Sequence, residues 1–231
     1  MSTETETLTA TKPSFLSTFF GQTMFFFGLT LLAAVGGIFG GIYFLPPALI
    51  SSLGFMLAML AITLILVFTA RKWSRSDFGY LVLIAFSAIF GLTMVPLLAY
   101  AVSVGGALIL GKALFATVAM FVGMAIYGAT TSRDLSGLGG FLMASLIGMI
   151  LVSLLTFVLS LFGVNVWSST AEIVFAGFGI LLFAGFTMYD FQQIKRLAGS
   201  ITPIEAAIKL FLDFILLFQY ILHFMTALGR D

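Results

Sequence analysis

Cysteine is absent from the 231 residues, and histidine occurs once, at His223. Disulfides, thiolate metal sites and cysteine nucleophiles are therefore excluded, and a single imidazole cannot build a zinc cluster. Charge is also scarce. Lys, Arg, Asp and Glu make up 8% of the chain and leave a net charge of +1, where soluble domains carry about 25% charged residues. A charge so small and balanced offers no basic field for nucleic acid. The first residues, MSTETETLTATKPS, hold Glu4 and Glu6 but no basic run, and no small-residue cleavage pattern closes the first apolar stretch, so no cleaved signal peptide is expected. What the chain has in abundance is apolar: 61% hydrophobic residues, 27 Phe, 24 Gly and a mean hydropathy of +1.20. A water-soluble globule is excluded by that balance.

A membrane-crossing helix needs about 20 mostly apolar residues. Seven stretches qualify, at roughly 22–45, 48–70, 78–101, 106–129, 138–162, 171–194 and 204–227. The runs are continuously apolar, without the alternation of a membrane β-barrel. The connections are short, which predicts one all-α membrane domain over 21–231 behind a polar tail at 1–20. Lys and Arg in short loops set orientation. Lys12, Arg71, Lys72, Arg75, Arg133, Lys195, Arg196 and Lys209 fall on the N-terminal side, against Arg230 and Lys112 on the other. The N-terminus is expected in the cytoplasm and the C-terminus outside. Gly36, Gly37, Gly40 and Gly41 form two overlapping G-x-x-x-G pairs, which permit close helix packing within the chain or across a dimer. Pro46-Pro47 ends the first span, and Pro96 is expected to kink the third. Tyr43, Trp73 and Trp167 have the character of interface anchors.

Charges deep in a span are costly, so each is a functional candidate. Asp190 and Asp213, in the last two spans, are the two that lie far from a span edge. Ser169 as N-cap with Glu172 three residues on predicts the start of the sixth helix, and Gly199 its left-handed end. Thr202, Pro203 and Glu205 predict the start of the seventh. At 1.5 Å per residue, Asp190 lies about 12 Å and Asp213 about 15 Å from the hairpin joining the two helices. The carboxylates therefore share nearly one depth, while helix rotation decides whether they meet. A dry pair that does meet shares one proton and titrates in two separated steps. It could also receive a hard cation such as calcium, if carbonyls or water complete the oxygen shell.

On the last helix Glu205, Lys209, Asp213, Gln219, Tyr220 and His223 fall within an arc of roughly 120°. Such a stripe predicts a water-lined or proton-relay path. Lys209 is four residues from both Glu205 and Asp213 and can neutralise either.

Three stretches carry a family resemblance: FAGFTMYDFQQIK at the end of span six, IKLFLDFILLF in span seven, and ALFATVAMFVGMAIYGATTSRDLSGLGGFL in the middle. With these the chain resembles the bacterial branch of the Bax inhibitor (transmembrane BAX inhibitor motif) family, from about residue 20 onward. The resemblance implies seven helices with the last one central and wrapped by the other six. It implies a di-aspartyl pH sensor coupled to calcium leak, here Asp190 and Asp213. It further implies an arginine latch to the first aspartate from the cytoplasmic end of span two, with Arg71 the counterpart and Lys72 or Arg75 as alternatives.

The leading expectation is thus a pH-sensitive calcium leak channel in a bacterial inner membrane, not an enzyme. It needs no cofactor, and calcium is its permeant or bound ion. Its partners are the lipid bilayer, calcium and protons. A second reading is a non-conducting scaffold that regulates a membrane protein such as a protease. A third, an intramembrane aspartyl protease, lacks the G-x-G-D context at Asp213, where the sequence reads F-L-D.

Overall fold

The computed structural model describes residues 18–50, 52–164, 168–198 and 200–229, apart from the side chains of Met56 and Arg71. The expectations for Lys12, Trp167, Gly199 and Arg230 lie outside those residues. Eight helices follow one another among the described residues: α1 (Phe19–Phe44), the single turn α2 (Pro47–Ile50), α3 (Leu53–Trp73), α4 (Gly79–Gly105), α5 (Leu108–Thr130), α6 (Ser136–Leu161), α7 (Ser169–Arg196) and α8 (Pro203–Leu228). All but α2 are long and apolar enough to cross a membrane. The chain is a multi-pass, all-α membrane protein. Its outer surface is a belt of bare hydrophobic side chains such as Phe44, Phe68, Phe115 and Leu181, which only lipid can cover.

Caps fix the boundaries. Leu45, extended ahead of Pro46, ends α1. The Ser52 hydroxyl accepts the Phe55 amide at 3.3 Å and starts α3. α4 runs unbroken through Pro96. The expected cap of α7 moves by one residue. Ser168 adopts the extended cap conformation and accepts the Ala171 amide at 3.2 Å, so Ser169 is already helical and Glu172 lies beyond the capping-box position. α8 begins as expected, with a full capping box between Thr202 and Glu205 and Pro203 in its first turn.

α8 is the most enclosed helix. Of its most apolar 18 residues 56% are buried, and no other span exceeds 33%. Its close neighbours are α1, α4, α5 and α7, while α3 packs on α4 and α6 on α7. Four helices therefore flank α8 where the resemblance implied six. Phe211, Leu210, Leu217 and Leu222 fill the interior, and Phe86 and Leu83 of α4 meet them there.

The glycines of α1 divide by face. A Cβ on Gly37 would fall on the Ala88 carbonyl oxygen, and one on Gly91 of α4 would fall on that of Ala34. This reciprocal seat brings the two backbones together. Gly41 meets Leu92 and Val95 of the same partner, whereas Gly36 and Gly40 have open space around them. Gly37 and Gly41 thus serve packing within the chain. Gly91→Val is expected to destabilise the protein by about 1–3 kcal/mol. Gly40→Val should stay within about 0.5 kcal/mol. Thermal unfolding in detergent checks both.

Candidate functional site

The α7–α8 hairpin resolves the rotation that the sequence left open. Asp190 and Asp213 are both buried, 7% and 5% exposed. The charge of Asp190 acts on Asp213, and Lys209 acts on both, so the two buried carboxyl groups are near neighbours between α7 and α8. Lys209 joins them, its Nζ 3.9 Å from Asp190 Oδ1 and within electrostatic reach of Asp213. The lysine thus adds a partner on α7 to the Asp213 of its own helix that the sequence suggested. Its side chain is 44% exposed, so its stem reaches inward from the hairpin end.

Nothing else answers the second carboxylate. Asp213 Oδ2 is buried without a hydrogen-bond partner among the described residues. Nearby buried hydroxyls are committed to their own helices: Thr187 donates to the Phe183 carbonyl at 2.8 Å and Thr117 to that of Ala113 at 2.7 Å. Phe121 meets Phe191, next to Asp190, at 5.7 Å between centroids, and Phe214, next to Asp213, at 5.3 Å. Phe27 closes on Phe121 and Phe214 from α1. An orphaned oxygen in such a setting is costly, and it is where a proton or cation would be held.

The remaining sequence candidates separate into two groups. Glu205 belongs to the hairpin end. It caps α8, accepts the Ser74 hydroxyl at 3.2 Å, and lies 3.9 Å from Arg75 Nε. Arg75 therefore partners Glu205, not Asp190. Lys72 is exposed, and the Arg71 side chain lies outside the described residues. Gln219, Tyr220 and His223 line an open cavity toward the opposite end of α8. Between Asp213 and Gln219 stand Phe214, Ile215, Leu216, Leu217 and Phe218. Of these five, only Leu216 falls on the polar arc of α8, so Gln219, Tyr220 and His223 continue on the same face toward the cavity.

Sequence reasoning passed over Gln192, two residues after Asp190. Its buried amide accepts the Leu135 N–H at 2.9 Å and donates to the Arg133 carbonyl at 2.7 Å, gripping the α5–α6 loop. Arg196 adds a 2.6 Å contact to Asp134, and Lys195 donates to the Ala129 carbonyl at 3.1 Å. The end of α7 that carries Asp190 is therefore fastened to the loop TSRDLS. The signal available in the sequence was an amide buried in an apolar helix, which must find partners. Glu172, Tyr100 and Ser153, which line the far cavity, carried no comparable signal. No group of three or more His, Asp or Glu side chains that could hold a metal ion gathers among the described residues.

Residues 16–230 match the family described as inhibitor of apoptosis-promoting Bax1. The chain belongs to the Bax inhibitor family. The inner membrane protein YbhL of Escherichia coli is 33% identical over 183 residues, covering 74% of this chain and 72% of its own. Bax inhibitor 1 of Schizosaccharomyces pombe is 32% identical over 208 residues, 88% of this chain and 74% of its own. An uncharacterized protein of Campylobacter jejuni is 31% identical over 220 residues, 94% of this chain and 91% of its own.

Two outcomes follow for this family member. Gln192→Ala strands a buried amide and a carbonyl and is expected to cost about 1–3 kcal/mol, with faster hydrogen exchange at the Leu135 amide. Asp134 is held down to about 2 by the Ser136 amide, then by the Ser136 hydroxyl and the Arg196 guanidinium. Its contribution is complete above the ordinary carboxylate value of 3.8 and is lost as pH falls through about 2. Carboxyl NMR should show that midpoint, and Arg196→Ala should move it back toward 3.8.

Proposed function

We propose that this chain is a proton-responsive calcium leak in a bacterial inner membrane, with Asp190 and Asp213 as the responsive pair. One observation carries the reading: a buried carboxyl oxygen on Asp213 without a partner, beside Asp190 and within reach of one ammonium. With both carboxyls ionised and Lys209 charged, the three groups hold a net charge of −1. One proton makes it neutral. A calcium ion can instead replace both the proton and the ammonium, because two carboxylates match its charge. Proton and calcium thus compete for one place, and the exposed half of Lys209 gives the ammonium a route to water.

In this reading Lys209 supplies a positive charge beside Asp190, and Arg71 keeps the latch role that the resemblance implies. Both cations rise from the same end of the bundle, and Arg71 remains a second donor of charge in this reading. The excess of Lys and Arg at that end supports a cytoplasmic N-terminus. The name of YbhL, an inner membrane protein, supports the location. No enzymatic step is assigned.

Calcium flux into dye-loaded liposomes tests the proposal. The wild type should change its flux several-fold between mildly acidic and mildly alkaline buffer, and Asp213→Asn should respond to neither. Unchanged pH response in Asp213→Asn would reject the pair. No flux from any variant would favour the scaffold reading. Lys209→Met should lower the half-saturating calcium concentration by about tenfold, the effect of removing one unit charge from a partly solvated site. Lys209→Arg should keep the wild-type value.

A further inference from the structure

Toward the end of the bundle away from the hairpin, α4, α6, α7 and α8 enclose an open cavity of about 430 Å³. It is distinct from the aspartate pair. The first α8 side chain to line it, Gln219, is six residues beyond Asp213, about 9 Å along the axis. The walls combine the rings of Tyr100, Phe175, Tyr220 and His223 with Glu172 and the polar side chains of Ser153, Gln219 and Thr226. Phe175 and Tyr220 stand at 60° with centroids 6.2 Å apart, which makes a corner. Tyr220 is fixed from behind. It stacks on Phe183 at 5.5 Å and rests on Gly179, where a Cβ would strike its ring.

We propose that this cavity binds an organic ammonium ion. The head would lie toward Glu172 and the acceptor oxygens, and the carbon stem against the rings. Aromatic faces and a carboxylate together favour a soft, weakly hydrated cation. A hard divalent ion wants six to eight close oxygens, which a cavity walled largely by rings does not supply. An anion would face the Glu172 charge. The volume falls within the ~300–1,000 Å³ of small-molecule pockets and far exceeds a bare ion. A soluble amine and an aminophospholipid headgroup present the same chemistry.

The test is calorimetric titration of n-butylammonium into the full chain in phosphatidylglycerol nanodiscs, with n-butanol as the uncharged analogue. Binding of the ammonium alone is expected, unaffected by calcium. Glu172→Gln and the rim change Tyr100→Leu should each weaken it by about tenfold. Asp213→Asn should bind as the wild type does. A loss of affinity confined to discs containing phosphatidylethanolamine would identify the headgroup as the source, and equal affinity in both would identify a soluble amine. The proposal is overturned by absence of binding, by equal binding in Glu172→Gln, by displacement with calcium, or by an Asp213→Asn loss as large as that of Glu172→Gln. None of these outcomes bears on the leak, whose test is the flux response of Asp213→Asn.

Discussion

Two buried carboxylates and one ammonium meet between α7 and α8, and the rest of the bundle is arranged around that constraint. Asp190 has the Lys209 ammonium at 3.9 Å; Asp213 keeps an oxygen with no partner. A buried unpaired charge is far more costly than a buried pair. The fold must therefore hold three groups in register while leaving one position unfilled. α8 is rigid enough to do so because four helices enclose it and a capping box sets its start. α7 is held by Gln192 and Arg196, which tie its last turns to the α5–α6 loop.

Small residues then let the outer helices come close enough to exclude water. Gly37 and Gly91 form the α1–α4 seat, and Gly128 performs the same service for α5 against the Met188 backbone, just ahead of Asp190. Without such contacts, lipid chains offer no drive for helices to associate, because they are as apolar as the helices themselves. Close packing near Asp190 and unsatisfied polarity at Asp213 are thus two sides of one arrangement.

Much of this was legible in the sequence. Seven apolar runs predicted seven spans because a membrane imposes length. Thr202, Pro203 and Glu205 located the start of α8, and counting from the hairpin put both aspartates at one depth. Rotation was not legible, since the polar arc on α8 does not say which α7 residues face it. For the same reason the sequence offered Lys209 only its α8 neighbours; its charge does act on Asp213, and it also lies 3.9 Å from Asp190 of α7. The sequence also left the four α1 glycines as one group, although only Gly37 and Gly41 face α4. Ser168 displaced Ser169 as a cap because adjacent serines are equivalent until backbone angles are known.

The central claim is that Asp190 and Asp213 hold one proton between them. Infrared difference spectroscopy on protein carrying 13C-labelled aspartate reads this directly, through the carbonyl stretch of a protonated carboxyl. The account predicts a single protonated-aspartate band that titrates as one group and disappears when either residue becomes asparagine. Two independent titrations, or a band that survives in either single variant, would contradict it.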